Sequence, residues 1–455
     1  QQQTRHAVPP AIFPANTPYG AFQPFRKDER FRPALTYRNQ ISEHQEITLT
    51  GFFATRDLHH PLCCFNSSFI TLSRIENAAF AKYTNTVPIL GHDNRLIVGY
   101  DWQDQNSVNK NYANVLGSPG ALQTFAQERI NQDGVYLQNE FKVTEQIELV
   151  GGVRYSQVRF KVQDHLRFGG IDASSRRNFA QTTGLGGIRY SPVPWANLYV
   201  TVGQSFETPT GSEFRNPLTA NGAGLNPGIQ PQKSTNYEIG VKGAVGETFY
   251  YDVALYRQHF TDELLRFSTG LTGACNIFAP CFRNAGKSDH DGLEVGLAYK
   301  PLRSVTAQLA YTYADYRFRD YVVNGEQLGG KTLPGVPTHR LVVDVTYEQL
   351  EGLLAGAFAG VEWQYQTAYF LSDTNLESTS PLNGQKNPSY TVTNLKGGYK
   401  TMVNKHWGVE AFARLENIFD ENYAFATLNP ANAPAFGPFI GRNVFGGVSI
   451  RYVFG

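Results

Sequence analysis

Apolar and polar positions alternate along most of this chain. In the terminal "NVFGGVSIRYVFG", Val444, Val448, Ile450, Tyr452 and Phe454 fall on one side, and Gly447, Ser449 and Arg451 on the other. A period of two is the mark of a strand with one apolar and one wetter face. "HRLVVDVTYEQ" sets Leu341, Val343, Val345 and Tyr347 against Arg340, Asp344, Thr346 and Glu348. "NLYVTVGQSFE" and "NYEIGVKG" do the same with Leu198, Val200, Val202 and with Tyr237, Ile239, Val241. "GLEVGLAYK" adds Leu293, Val295, Leu297 and Tyr299, and "AGAFAGVEWQYQ" adds Val361, Trp363 and Tyr365. Many of these apolar faces end in Tyr or Trp, the residues a membrane interface favours. The pattern predicts about 17 strands, centred near residues 35, 50, 74, 99, 134, 154, 184, 201, 239, 255, 293, 311, 342, 361, 394, 411 and 448.

The connections alternate too. Short ones fall near 144–146, 194–197, 245–247, 301–304, 350–352 and 402–405, and long Gly-, Pro- and Asn-rich ones at 208–232, 265–282, 371–388 and 419–440. Short turns on one side and long loops on the other describe an all-β, transmembrane, antiparallel up-and-down β-barrel. Composition agrees. Charged residues make up 17% of the 455 and aromatic residues 13%, against roughly 25% charged in ordinary soluble domains. No run of about 20 apolar residues could cross a bilayer as a helix. The net charge of +1 offers no bulk attraction for nucleic acid. The opening "QQQTRHAVPP" has no charged-then-apolar signal segment. If the last strand runs towards the periplasm, so does the first. A bacterial barrel has an even number of strands, so at least one further strand is expected outside the set read here. The last strand is expected to pair with the first and close the barrel, because an open edge cannot face hydrocarbon.

Four stretches resemble the TonB-dependent outer-membrane receptors: "KSTNYEIGVKG" at 233–243, "RNAGKSDHDGLEVGLAYKP" at 283–301, "RLENIFDENYA" at 414–424 and the terminal "GRNVFGGVSIRYVFG". The resemblance covers about the last 300 residues by motif and the first 150 by pattern. It implies a parent barrel of 22 strands with a plug in its lumen. Residues 1–455 are then expected to be the barrel domain, with the N-terminal plug and the first strands absent. It also implies active uptake of a scarce, bulky nutrient, foremost a ferric siderophore. Energy would come from the TonB–ExbB–ExbD complex acting on the plug, in the outer membrane of a Gram-negative bacterium. Other implied partners are outer-membrane lipid and the barrel assembly machinery, to which Phe454 would present its aromatic end, although Gly455 follows it. A cobalamin, a quinone cofactor or a carbohydrate are alternative cargoes. A passive porin and an outer-membrane enzyme or adhesin are alternatives of another class.

Candidate chemistry is sparse. Neither a nucleophile with a base at a recognisable spacing nor a phosphate loop occurs, so no catalytic residue and no cofactor is expected. Cys275 and Cys281 fall in an external loop, where thiols oxidise, and are expected to form a disulfide. Cys63 and Cys64 adjoin His59 and His60, but an oxidised loop staple is a simpler reading than a metal site. "SDHDG" offers Asp289, His290 and Asp291, whose spacing fits no metal loop. They are read as a solvated strand entrance. Glu238, Lys242, Glu294, Arg340, Asp344, Glu410 and Arg414 fall on lumen faces and are expected to bond across strands. For ligand contact, the long loop 208–232 offers Phe214 and Arg215, an aromatic face and a guanidinium suited to an anionic chelate. "DWQDQNSVNKNYANV" adds Trp102, Lys110 and Tyr112.

Overall fold

The structure is a computed structural model that describes residues 3–4, 25–61, 68–167, 170–211, 213–214, 216, 224–267, 275, 281–323, 325–375, 386–427, 435–438 and 441–453. Its strands, in chain order, begin with β1 (Gln3–Thr4), β2 (Arg26–Phe31), β3 (Ala34–Ser42), β4 (Gln45–Pro61), β5 (Ser68–Asn85), β6 (Asn94–Val115), β7 (Ser118–Lys142), β8 (Ile147–Asp164) and β9 (Ser175–Val193). Next come β10 (Ala196–Glu207), β11 (Gln232–Val245), β12 (Phe249–Thr261), β13 (Leu264–Phe267), β14 (Cys281–Asn284), β15 (Lys287–Leu302), β16 (Val305–Asp320), β17 (Val322–Val323) and β18 (Glu326–Gln327). The last are β19 (His339–Glu348), β20 (Ala357–Gln366), β21 (Tyr369–Phe370), β22 (Lys386–Asn387), β23 (Tyr390–Met402), β24 (Trp407–Glu416), β25 (Ala424–Thr427), β26 (Ala435–Pro438) and β27 (Asn443–Tyr452).

All the long strands pair antiparallel with their neighbours in one meander. β2 and β3 lie along the same edge of β4, Phe31 opposite Thr55 and Ala34 opposite Phe52. They act as one strand, interrupted at Arg32 and Pro33, where the proline has no N–H to give the ladder. Joining these two and setting aside the two-residue β1 leaves 17 wall strands in the 19-stranded sheet, each containing one of the centres expected from the alternation. The small hairpins β13–β14, β17–β18, β21–β22 and β25–β26 sit inside the long loops, where no alternation announces them. The expected closing pair is not found among the described residues. β27 pairs there with β24 alone, the outer edge of β2 carries only the short β1, and every residue of β3 is exposed.

The outward face carries exposed apolar side chains in cross-strand rows. Ile188, Val200, Ile239 and Leu255 stand side by side across four strands and are 54%, 50%, 56% and 57% exposed. A water-facing sheet would not display such a row; a bilayer covers it. The inner face is tied by polar bonds. Lys396 binds Asp344 at 2.7 Å, Arg414 binds Glu362 at 2.6 Å, and the Tyr199 hydroxyl donates to Glu238 at 2.8 Å. Glycines let inward tyrosines lie flat across the neighbouring strand. A Cβ at Gly292 would sit 2.2 Å from Cζ of Tyr256, whose hydroxyl meets that of Tyr316 at 2.7 Å.

The strands also outrun the membrane. β6 has 22 residues and β7 has 25, where about 9–11 residues would cross a bilayer. Above the lipid zone the alternation changes phase. On β8 the apolar residues Leu149, Val153 and Tyr155 face outward, whereas higher up Val158, Phe160 and Val162 face inward and are buried, with Arg159 and Lys161 outside. β16 does the same. Leu309, Tyr311 and Tyr313 share the outward face with Asp315 and Arg317 above them, and Ala314 and Phe318 are buried inside.

Candidate ligand site

The inward apolar patch at the top of β8 receives the long loop between β10 and β11. Phe214 is 1% exposed, its ring 4.7 Å from that of Phe160 and 6.1 Å from that of Phe179. Leu225 and Ile229 join the cluster. Backbone bonds shape the loop: Phe214 N–H donates to the Thr210 carbonyl at 3.1 Å and Asn226 N–H to the Phe214 carbonyl at 2.9 Å. Arg177 donates to the Ile229 carbonyl at 2.8 Å and so holds the returning arm against β9. Phe214 is therefore an anchor without a free aromatic face, and it does not line the mouth as its place in a long loop suggests. The phase change of β8 is visible in the sequence and marks an inward apolar patch, but it does not say that Phe214 covers it.

Below the anchored loop lies a cavity of about 410 Å³ between β5 and β10, with Phe80, Asp101, Gln103, Gln132, Arg154 and Thr210 in its wall. Asp101, Gly134 and Ser156 face one another across β6, β7 and β8. The missing side chain at Gly134 lets the Arg154 guanidinium span the three strands, since a Cβ there would come within 2.4 Å of its Nη2. Arg154 donates to Asp101 at 2.7 Å and to Ser156 at 2.9 Å. Beside it Gln132 donates to Gln103 at 2.6 Å, and Gln103 donates to Glu76. The wall thus presents charged groups already held in place and carboxamides able to give or take a hydrogen bond. Further round the lumen, Arg26, Arg30 and Arg56 converge on the single carboxylate of Asp28, at 3.1, 2.9 and 2.8 Å. Arg74 stands opposite Arg56 and donates to the Ser107 hydroxyl at 3.1 Å. Glu76 and Glu128 also act on Arg74, so four arginines share this part of the inner wall with three carboxylates.

Of the other candidates, Trp102 borders the cavity, but it lies two residues along β6 from the 48%-exposed Tyr100 and so shares its outward face. Tyr112 stands high on β6 opposite Phe69, away from the cavity. Arg215, Cys63 and Cys64 lie outside the described residues. Cys275 and Cys281 are joined by a disulfide. His60 is bound to the Phe25 carbonyl at 2.8 Å, and among the described residues no group of three or more His, Cys, Asp or Glu could hold a metal. Asp289 and His290 are not a solvated entrance, being each 8% exposed. Asp289 binds His259 at 2.6 Å and also Arg319 on the outward face. His290 points inward, stacked 4.1 Å from Tyr316, with Nε2 3.5 Å from Glu263. Among the expected lumen charges, Asp344, Glu238 and Arg414 bond across strands, as above. In the loop after β16, burial and the neighbouring Asp373 push the Tyr321 phenol well above its usual range, so it stays a donor, at 2.8 Å to that carboxylate.

Comparison with known proteins places this architecture. The family model "TonB dependent receptor-like, beta-barrel" matches residues 4–418. The ferrioxamine B receptor of Salmonella typhimurium is 24% identical over 371 residues, covering 78% of this chain and 47% of that protein. The ferrichrome outer membrane transporter/phage receptor of Escherichia coli is 24% identical over 386 residues, covering 84% and 45%. The chain thus spans about half the length of these curated relatives. Among solved structures, the unliganded ferric citrate transporter FecA superposes with a TM-score of 0.77 at 16% identity, covering 94% of this chain and 62% of that one.

Proposed function

The chain belongs to the TonB dependent receptor-like β-barrel family, and from that membership we propose that it is the barrel of an outer-membrane receptor for a ferric siderophore. The observation that carries this reading is a family barrel whose lumen holds a cavity with charged and carboxamide groups in its wall under an anchored loop, next to an arginine-rich wall. A bulky polar chelate needs that combination of hydrogen-bonding groups and fixed charge; it does not need a catalytic pair, because no bond in it has to break. The names of the relatives, receptors for ferrioxamine B and ferrichrome, support the same class of cargo. In this reading TonB, with ExbB and ExbD, supplies the energy through a plug, and further strands pair with the edges of the sheet that β2, β3 and β27 leave open among the described residues. The doubled length of the relatives supports both. Arg215 is retained as a ligand contact in addition to the cavity residues.

The test is equilibrium binding of the full-length protein to a panel of ferric siderophores, with growth under iron limitation in cells with and without TonB. Binding of one chelate and TonB-dependent growth on it are expected. Arg215→Ala should weaken that binding by about 1.5–3 kcal/mol if the guanidinium makes a charge-assisted bond. Binding to none of the panel would end the siderophore reading and return the alternatives of another cargo or a passive pore. Equal binding by Arg215→Ala would end only that residue's role.

A further inference from the structure

The hairpin β13–β14 is covered on both of its faces. Its register sets Leu264 opposite Asn284, Leu265 opposite Arg283 and Arg266 opposite Phe282. Leu264, Phe282 and Asn284 therefore share one side, and Leu265 and Arg283 the other. On the first side, Leu264 and Phe282 pack against the cluster that holds Phe214, Leu225 and Ile229. Asn284 accepts from the Gln230 N–H and donates to the Gln230 carbonyl, both at 2.8 Å. On the second side, Leu265 packs against a separate cluster of Ala285, Phe318, Tyr321, Leu328 and Leu333. Arg283 donates there to the Tyr321 hydroxyl at 3.1 Å and reaches Asp373 at 3.4 Å. Just beyond Asp373, Asn375 accepts from the Thr332 N–H at 2.6 Å and donates to the Thr332 carbonyl at 2.9 Å.

Four external loops thus meet through one hairpin: 208–231, 262–286, 321–338 and 367–389. The two apolar clusters share no residue, and the hairpin is what both of them touch. Its base is fastened to the wall. The Ser288 hydroxyl on β15 donates to the Glu263 carboxylate, and the Ala285 N–H donates to the Glu263 carbonyl at 2.6 Å. The hairpin strands have four residues each, and a lone two-stranded hairpin is marginal in water. Lifting either loop bares one apolar face of it and weakens the seat of the other loop. Segments that depend on one another in this way open as a unit. We propose that β13–β14 is a strap that makes these four loops a single lid over the barrel mouth, which opens and closes in one step. A molecule held by one loop then holds all four shut. The strap rests on the packing of the loops and not on which cargo the lumen carries.

The experiment uses the full-length protein and reads two loops separately. Limited trypsinolysis after Arg215 reports loop 208–231, and amide exchange of peptides within 318–336 reports the other side. Leu328→Ala alters the second cluster alone. It should nevertheless accelerate cleavage after Arg215 roughly tenfold, and Phe214→Ala should raise exchange within 318–336 by a similar factor. Adding Asn284→Ala, which frees Gln230 from the hairpin, should shrink the effect of Leu328→Ala on Arg215 while exchange within 318–336 stays raised. If Leu328→Ala speeds exchange in its own loop but leaves cleavage after Arg215 unchanged, the loops open independently and the proposal is overturned. Amides of β11 and β12 are followed in the same samples. If those wall strands loosen, Arg283→Met takes the place of Leu328→Ala. It breaks the link to Tyr321 and Asp373 without emptying a cluster, and the same two outcomes decide.

Discussion

Phe214 offers the sharpest test, because it separates an aromatic that contacts a ligand from one that pins a loop. Its ring is 1% exposed and packs against Phe160 and Phe179. Replacing a buried Phe with Ala costs about 3–5 kcal/mol. The cost falls on the attachment of loop 208–231, since the wall strands keep their own ladders. At 1.4 kcal/mol per tenfold, local opening of the loop should become roughly 10²-fold to a few thousand-fold more frequent. Arg215 is the only tryptic site between Glu207 and Lys233, so limited trypsinolysis of the folded protein reads this opening at one bond. The expected result is cleavage after Arg215 accelerated by that factor in Phe214→Ala, with the barrel intact. Phe160→Ala should act in the same direction. The double variant should show a coupling of about 0.5–1.5 kcal/mol, as aromatic pairs do. Unchanged cleavage in Phe214→Ala, or zero coupling to Phe160, would refute the anchoring argument.

Three further outcomes are expected. Val345→Arg, on the lipid face, should cost about 2–4 kcal/mol if it lies near the midplane, whereas Thr346→Arg, on the lumen face, should cost less; folding assays that find the two equal would overturn the assigned facing. Gly292→Ala should displace the Tyr256 ring and break its bond to Tyr316, a loss of about 1–3 kcal/mol in unfolding titrations; a substitution without effect would mean that the ring does not lie over the glycine. Peptide mapping of non-reduced protein should recover Cys275 linked to Cys281, and two free thiols in protein taken from the membrane would contradict the pairing.

Much of the wall could be read directly from the chain. The alternation of Leu198, Val200 and Val202 with Tyr199, Thr201 and Gly203 sets strand, facing and medium together, because side chains of a strand alternate by geometry alone and lipid admits only one polarity. Phe214 could not be read that way. Its role depends on Val158, Phe160 and Val162 turning inward some fifty residues earlier, a contact between segments that no local period encodes. Burial of Asp289 and His290 likewise follows from Arg319, Tyr316 and Glu263 arriving on other strands and loops. Lys161 and Arg176 come to stand opposite each other only through the register of β8 against β9. A sequence states which face a residue takes, but what lies across that face is decided when the sheet curves and distant strands come into register.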